Sequence, residues 1–360
     1  PRYYGGDIPF VQTGDVTNSK GTISKYSQTL NEKGLEVSVL FKKGTILMTI
    51  AANIGYSGVL KIDMACTDSL VAINGLKNYD NSYLNYYFIY KRSDLENLST
   101  SGAQKNLSIE LLKPFKIPLP PTKAEQTAIA TALSDADALI QSLEKFIAKK
   151  RNIKQGAMQE LLKPKDGWEV KKLGECFSLF TGKSKSKFVV VGGEYTVMDM
   201  GSISTNGKII KSKKSNLRED FLKIGNLVMP KDDIGGGNII GKVAFIDSNQ
   251  QYILGDHVYK LKSNEKNIDT KFFYYLINSY NVNIQLKKKV SGSAQLGLGR
   301  KSVEEQDLII PIKKEEQTRI ATILSDMEAE IAALESKLKK YRQLKQGMMQ
   351  NLLTGKIRLV

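Results

Sequence analysis

Cysteine and long apolar runs are both scarce in this chain of 360 residues. Its two cysteines, Cys66 and Cys176, form no CxxC pair and have no histidine cluster beside them, so the sequence supports neither a disulfide framework nor a zinc or other metal site. No run of about 18 apolar residues is present, and no signal peptide opens the sequence. We therefore expect a cytoplasmic protein that does not span a membrane.

Recognisable catalytic motifs are also missing. The one histidine, His257, follows Asp256, but the matching place in the internal repeat described below holds Asp68 and Ser69, which supply no imidazole base. The string GSAQLGLGRKS from Gly292 lacks the lysine that a phosphate-binding P-loop requires, and no N/D-P-P-Y/F methyltransferase motif occurs. We therefore expect a non-catalytic chain that binds no cofactor, and an enzyme with a site assembled between two domains is the least supported alternative.

Positive charge is what the sequence has in excess. It has 53 lysine and arginine residues against 37 acidic ones, a formal net charge of +16. Such a charge attracts polyanions and raises their rate of encounter with the protein. Nucleic acid is therefore the leading partner, and the alternative is a lysine-rich protein without one. The length and the 41% of hydrophobic residues are enough for two ordinary domains.

The chain contains an internal duplication. The string EQTAIATALSDAD from Glu125 returns as EQTRIATILSDME from Glu316, a shift of 191 residues, and KQGAMQELL from Lys154 returns as KQGMMQNLL from Lys345. Upstream of these strings the two copies are much less alike. Two copies are too few for a solenoid or a propeller. We infer that the similar segments share one task and that the divergent segments have separate ones.

Each strongly repeated segment is predicted to be a long helix. Thr122 and Glu125 stand at capping-box spacing after a proline-rich stop. The apolar positions that follow are spaced alternately by four and three residues, the pattern of a coiled-coil seam. These positions are Ile129, Leu133, Ala136, Ile140, Leu143 and Ile147 in the first copy, and Ile320, Leu324, Met327, Ile331, Leu334, Leu338 and Tyr341 in the second.

A narrow seam on two equal helices favours pairing of the helices with each other. A two-fold arrangement of like units makes that pairing antiparallel. The alternative is that each helix packs only on its own globular domain. Gly156 and Gly347 are expected to interrupt the helices late, at a cost of about 1 kcal/mol each relative to alanine.

The predicted fold class is α+β: two α/β domains with a pseudo-two-fold internal repeat, joined by two long helices that pair as an antiparallel coiled coil. The globular domains cover residues 1–121 and 164–311, and the helices cover 122–163 and 312–355. The globular segments mix short β-branched runs with glycine-rich turns. Each also has one aromatic helical stretch, SYLNYYFIY from Ser82 and KFFYYLINSY from Lys271, whose rings we expect in the core rather than stacked on bases.

Basic and polar side chains in loops are the candidates for DNA contact. Lys183, Lys185 and Lys187 alternate along a segment predicted to be extended, which places their charges on one face, as binding to a phosphate backbone requires. Side chains able to hydrogen-bond base edges occur in both copies. The predicted DNA-binding residues are Gln12, Thr13, Asn53, Gln104, Lys105 and Asn106 in the first domain, and Lys183, Ser184, Lys185, Lys187, Asn238, Gln295 and Arg300, with Asp199 beside them, in the second.

Four features together resemble the specificity subunit of type I restriction-modification systems. They are the tandem layout, the helix opening P-x-x-x-E-Q-T-x-I-A-x-x-L-S-D at Pro121 and in slightly different form at Pro311, the helix end KQG-x-M-Q-x-L-L, and the domain opening GWEVKKLGE at Gly167. The resemblance covers nearly the whole chain. It implies two target recognition domains, each reading half of a split double-stranded DNA sequence, joined by helices that act as a spacer. It also implies that the helices recruit two methyltransferase subunits, which use S-adenosylmethionine, and that restriction translocase subunits join the full complex.

The first copy departs from the pattern. The second domain opens with WEVKKLGECFSLFTG from Trp168, which the first copy lacks because the sequence starts at Pro1. Either an N-terminal segment is missing or the first domain is completed from elsewhere, so we expect its edge strand to differ. A helix from Thr122 to Leu162 reaches about 60 Å, more than one DNA turn of about 34 Å, so a gapped target is expected. The alternative is a stand-alone DNA-binding or architectural protein with a coiled-coil arm and no methyltransferase partner.

Overall fold

A computed structural model describes residues 2–75, 77–99, 106–210, 213–234, 236–292 and 296–359. The chain forms two compact units. The first unit comprises Pro1–Phe146 together with Leu334–Val360, and the second comprises Ile147–Ala333. Each unit therefore contains one globular domain and a part of both long helices.

The first globular domain consists of short strands and helices around two sheets. In chain order the elements are β1 (Tyr4–Val11), α1 (Thr13–Asn18), β2 (Thr22–Ile23), β3 (Gln28–Leu30), α2 (Glu32–Glu36), β4 (Leu40–Phe41), β5 (Ile46–Thr49), β6 (Ser57–Leu60), β7 (Met64–Cys66), β8 (Leu70–Ile73), α3 (Asn81–Tyr90), α4 (Arg92–Asn97) and α5 (Ile109–Leu112). The sheets have the orders β3-β1-β7-β4 and β2-β6-β5-β8. Because side chains alternate along a strand, Ile46 and Met48 of β5 join α3 in one core, whereas Leu47 lies in another core with Val11.

The two long helices frame the second domain in sequence. The first is α6 (Lys123–Leu161); the domain then contains β9 (Trp168–Lys172), α7 (Leu173–Cys176), β10 (Phe177–Thr181), β11 (Tyr195–Met198), β12 (Lys214–Ser215), β13 (Leu227–Pro230), β14 (Asp232–Asp233), β15 (Ala244–Phe245), β16 (Tyr252–Leu254), β17 (Val258–Ser263), α8 (Thr270–Asn278), α9 (Tyr280–Lys288), β18 (Leu296–Gly297), α10 (Arg300–Glu304) and β19 (Asp307–Pro311), and α11 (Lys314–Leu352) follows. Two 3-10 turns cover Ser186–Phe188 and Met200–Ser202. The sheets have the orders β10-β17-β13-β15, β12-β11-β16, β14-β18 and β19-β9.

The second domain repeats the plan of the first. β1 pairs in parallel with β7, and β11 pairs in parallel with β16. Strand β13 matches β5, because its side chains also alternate between two cores. Leu227 and Met229 lie in one core, and Val228 lies in another. The aromatic helices face these cores, and Tyr87, Phe88 and all four rings from Phe272 to Tyr275 are buried. The expectation that these rings belong to the core is confirmed.

The two domains differ at one edge of the sheet. In the second domain the opening segment supplies β9, which pairs with β19, and β10, which pairs with β17. Within the described part of the first domain, β8 has a strand neighbour only in β5, and residues 116–120, which match β19, contain no strand.

The long helices lie inside the predicted ranges of 122–163 and 312–355, and their ends differ from those bounds by one to three residues. The Thr122 hydroxyl accepts a hydrogen bond from the Glu125 amide at 3.2 Å, as predicted for a capping residue. The Glu125 carboxylate instead accepts from Arg358 at 2.6 Å. Both helices continue through Gly156 and Gly347, so the predicted interruptions are wrong, and a methyl group added at either glycine would meet nothing within 4 Å.

Antiparallel pairing of the helices is confirmed within each unit. In both units, the residue number of the contacting partner in α11 falls as the residue number in α6 rises. The ion pairs are Asp137 with Lys345 and Glu144 with Arg342 in the first unit, and Lys150 with Glu330 and Lys154 with Glu328 in the second. The start of α6 also packs on its own globular domain, which was the alternative expectation. Ile129 and Leu133 lie in the core of the first domain with Tyr83.

Among the described residues, no helix is both long and apolar enough to cross a bilayer. The same part of the chain contains no cluster of three or more histidine, cysteine or acidic side chains placed to hold a metal ion.

Candidate nucleic-acid interface

In the first domain, backbone hydrogen bonds join four loops side by side. Three of these loops follow β1, β7 and β5, and the fourth precedes α5. The Thr67 amide donates to Val11 at 3.3 Å, the Ile50 amide to Ser69 at 3.1 Å, and the Leu107 amide to Ile50 at 2.9 Å. We call this set the first loop row; it comprises residues 12–13, 67–69, 50–53 and 106–107.

The second domain has a loop row built in the same way. The Gly255 amide donates to Met198 at 2.9 Å, the Lys231 amide to His257 at 3.1 Å, and the Leu298 amide to Lys231 at 2.7 Å. We call this set the second loop row; it comprises residues 199–202, 255–257, 231–234, 236–238 and 296–298. The backbone links are the same in both domains, but the side chains that the rows carry differ.

The first row contains the described candidates of the first domain. Gln12 and Thr13 are half-buried where α1 begins, and the Gln12 amide donates to Asp15 at 2.9 Å. Asn53 and Asn106 are exposed, and a β-bridge between Ala51 and Asn106 brings their loops together. Gln104 and Lys105 lie outside the described residues.

Two features hold the loop that carries Asn53. The Thr49 hydroxyl donates to the Asn53 carbonyl and accepts from the Tyr56 amide at 3.0 Å. Ala52 has a φ of 60°, a left-handed conformation that is uncommon outside glycine. Such conformations persist where the surrounding structure enforces them, often at ligand sites.

The prediction that three alternating lysines share one face is wrong. Ser186–Phe188 forms a 3-10 turn rather than an extended segment. The Lys185 side chain is 1% exposed, and its ammonium donates to Glu219 at 2.6 Å and to Asp220 at 2.7 Å. Burial acts to lower the pKa of Lys185, but the two carboxylates outweigh it and the pKa is raised. Lys185 therefore holds a charged internal contact and is withdrawn as a DNA-binding residue.

The neighbours of Lys185 are placed differently. Lys183, Ser184 and Lys187 are exposed. The Gly182 amide donates to Gly255 at 3.2 Å, which sets the start of this segment against the second loop row. These three residues stay predicted DNA contacts.

The other candidates of the second domain lie in or beside the row. Asn238 is exposed in the glycine-rich loop after β14, and Arg300 is exposed at the start of α10, where it pairs with Glu304 at 2.7 Å. Asp199 is buried and its carboxylate accepts from Lys213 at 2.7 Å, so it anchors its loop. Gln295 lies outside the described residues.

The second row also contains a pair of residues that sequence reasoning missed. His257 Nδ1 lies 2.8 Å from Asp232 Oδ2, whereas the sequence neighbour Asp256 is 3.7 Å from Nε2. Lys231 N bonds to His257 as Ile50 N bonds to Ser69, so the sequence match of His257 with Ser69 is correct. The only sequence signal for the pair is that the segment MPKDDI places aspartates where the first copy has MTIAAN.

The repeated E-Q-T string fastens each long helix to its own domain. Gln126 accepts from the Asp80 amide at 2.9 Å and donates to the Pro120 carbonyl at 3.1 Å, and Thr127 donates to the Asp80 carboxylate at 2.8 Å. Because Asp80 is the N-cap of α3, these contacts join the starts of two helices. In the second unit the same contacts are made by Gln317, Asp269, Pro311 and Thr318.

The lysine of the repeated K-Q-G string joins the two copies. In the second unit, Lys154 of α6 and the Tyr275 hydroxyl both bond to Glu328 of α11, the latter at 2.9 Å. Burial acts to raise the pKa of Glu328, but these two partners outweigh it and the pKa is lowered. The first unit has the equivalent set with the helices exchanged, formed by Lys345, Tyr86 and Asp137. We call each set a clamp triad.

Comparisons with known proteins agree with this architecture. The sequence profile of the type I restriction modification DNA specificity domain matches residues 2–155 and 165–345. The chain is 30% identical over 312 residues to the type I restriction enzyme MjaVIII specificity subunit of Methanocaldococcus jannaschii, across 79% of this chain and 72% of that protein. Among solved structures it resembles the S subunit of a type I restriction-modification system from M. genitalium, with a TM-score of 0.63 and 17% identity over 97% of this chain and 89% of that one. The chain therefore belongs to the type I restriction-modification DNA specificity family.

Proposed function

We propose that this chain is the DNA-specificity subunit of a type I restriction-modification complex and that it recognises a gapped, two-part sequence in double-stranded DNA. One observation carries the proposal: the two loop rows share their backbone links but differ in side chains. An arrangement with a constant frame and variable side chains fits two domains that read different half-sites.

The chemistry of the rows suits base edges. Amides such as Asn53 and Asn106 both donate and accept, as adenine requires, whereas a carboxylate accepts from the amino group of cytosine. The excess of lysine and arginine supplies contacts to phosphates, which position the protein without reading sequence. Affinity for any DNA should therefore fall steeply as salt is added, while discrimination between sequences depends on the rows.

The long helices are proposed to be the scaffold for two methyltransferase subunits. Each unit has the same E-Q-T contacts and an equivalent clamp triad, so the helices are held in the same way twice, as two copies of one partner require. S-adenosylmethionine would bind to those partners, and this chain would contribute recognition and no chemical step. Restriction subunits would join the assembled complex.

Selection from random duplexes tests the proposal. The tagged chain, co-expressed with the methyltransferase from the same genome, should retain the enzyme on purification and enrich two short sequence blocks at a fixed separation. Asn53→Ala combined with Asn106→Ala should alter one block and leave the other unchanged. A chain that never retains a methyltransferase, or a complex that enriches one continuous block, would contradict the proposal.

A further inference from the structure

The only histidine of the chain occupies the second loop row. Its side chain is 39% exposed, and that of its partner Asp232 is 19% exposed. The 2.8 Å contact uses Nδ1, so Nε2 is the ring nitrogen left for a ligand. A carboxylate only accepts, which means that Nδ1 carries a proton; in the neutral form of the ring, Nε2 is then the acceptor.

The surroundings hold this ring in place. Asp232 belongs to β14, which pairs with β18 through Asp232 with Gly297 and Asp233 with Leu296. The buried Asp233 in turn accepts from the Ile239 amide at 3.1 Å. The His257 carbonyl accepts from the Lys231 amide at 3.1 Å. The imidazole is therefore positioned from its backbone and from Nδ1 together.

Two carboxylates flank the ring, and both accept hydrogen bonds. Asp256 Oδ2 lies 3.7 Å from Nε2, and Asp232 lies on the other side of the ring. In the major groove, adenine and cytosine each present an amino donor, whereas guanine presents two acceptors. An Nε2 acceptor with carboxylates beside it therefore favours an amino group over the two acceptors of guanine at the same position.

The first domain offers no such pair. Its backbone links place Ser69 where the second row has His257, and Ala51 where the second row has Asp232. Any discrimination that depends on the imidazole is therefore confined to the half-site read by the second domain.

Resting on the proposed function, we propose that His257 is a specificity-determining residue of the second domain. Its Nε2 accepts a hydrogen bond from the exocyclic amino group of an adenine or cytosine, and Asp232 is the positioning residue that orients the ring. The side chain recognises the amino group of either base, and other contacts of the row choose between them.

The test is selection from random duplexes with the assembled complex carrying His257→Ser, the residue of the first domain, or His257→Phe, which keeps a ring but has no acceptor. Both variants should lose about tenfold of the preference for adenine or cytosine at one position of the second block. The first block and the gap should not change, and this unchanged block shows in the same experiment that the complex is folded. If His257→Ser abolishes binding, the profile of His257→Phe decides.

Asp232→Asn separates positioning from a merely structural role. Alone, it should weaken the preference at the same position; combined with His257→Ser, it should cause no further loss there. An unchanged second block in both histidine variants would overturn this inference and leave the proposed function standing. A wild-type complex without a gapped motif would overturn the proposed function itself.

Discussion

Removing Lys154 should destabilise the second unit, because Glu328 would keep a largely buried carboxylate without its cation. The side chains of Lys154 and Glu328 are 18% and 22% exposed. Breaking a fully buried pair costs about 3–5 kcal/mol. The partial exposure of this pair and the remaining 2.9 Å hydrogen bond from Tyr275 reduce the loss, so Lys154→Met should lower the free energy of unfolding by about 1–3 kcal/mol.

Urea unfolding followed by circular dichroism measures this loss as a shift of the transition midpoint. The matched control is Lys301→Met, because Lys301 and Glu305 are 3.8 Å apart and their side chains are 86% and 52% exposed; a pair of that kind contributes about 0–1 kcal/mol. Adding Glu328→Gln to Lys154→Met should recover part of the loss, since a neutral amide still accepts from Tyr275. A shift for Lys154→Met no larger than the control would refute the clamp triad.

Three further predictions concern pH, the helices and the loops. The pKa of Glu328 is lowered below its ordinary 4.5 on folding, so the stability it contributes is present above that pH and lost as the pH falls through the folded value; Glu328→Gln should flatten this loss in acid titrations of unfolding. One heptad inserted into both long helices adds about 10 Å to each and should widen the selected DNA gap by about three base pairs, and an unchanged gap refutes the spacer role. Lys187→Met should reduce the salt dependence of DNA affinity by about one unit of slope, whereas Lys185→Met should leave the slope unchanged, and equal slopes would contradict the distinction between an exposed and an internal lysine.

The long helices and their antiparallel pairing could be predicted because their signals are local or internal to the chain. Heptad spacing fixes which side of each helix is apolar, and Thr122 marks where the first helix begins. The duplication shows that both helices share one plan. The E-Q-T string was recognisable as a repeat, but its contacts with Asp80 and Asp269 depend on folded domains.

The candidate interface could be predicted only in part. Polar loop residues such as Asn53 and Asn106 do lie in one row, yet alternation of lysines failed as evidence because it assumed an extended backbone. Lys185 turns inward to reach Glu219 and Asp220, which are remote in sequence. Asp232 and His257 are likewise brought together only by the pairing of folded loops and strands, for which the sequence offers no periodic signal.

Genome-wide mapping of methylated adenine in the host, with and without this chain, tests the central claim most directly. We expect a motif of two short blocks separated by a fixed gap, methylated when the chain is present and unmethylated when it is deleted. Restoring the chain with His257→Ser should return the first block unchanged and relax one position of the second. A methylation pattern that is the same with and without the chain, or a lost motif without a gap, would contradict the assignment of one half-site to each domain.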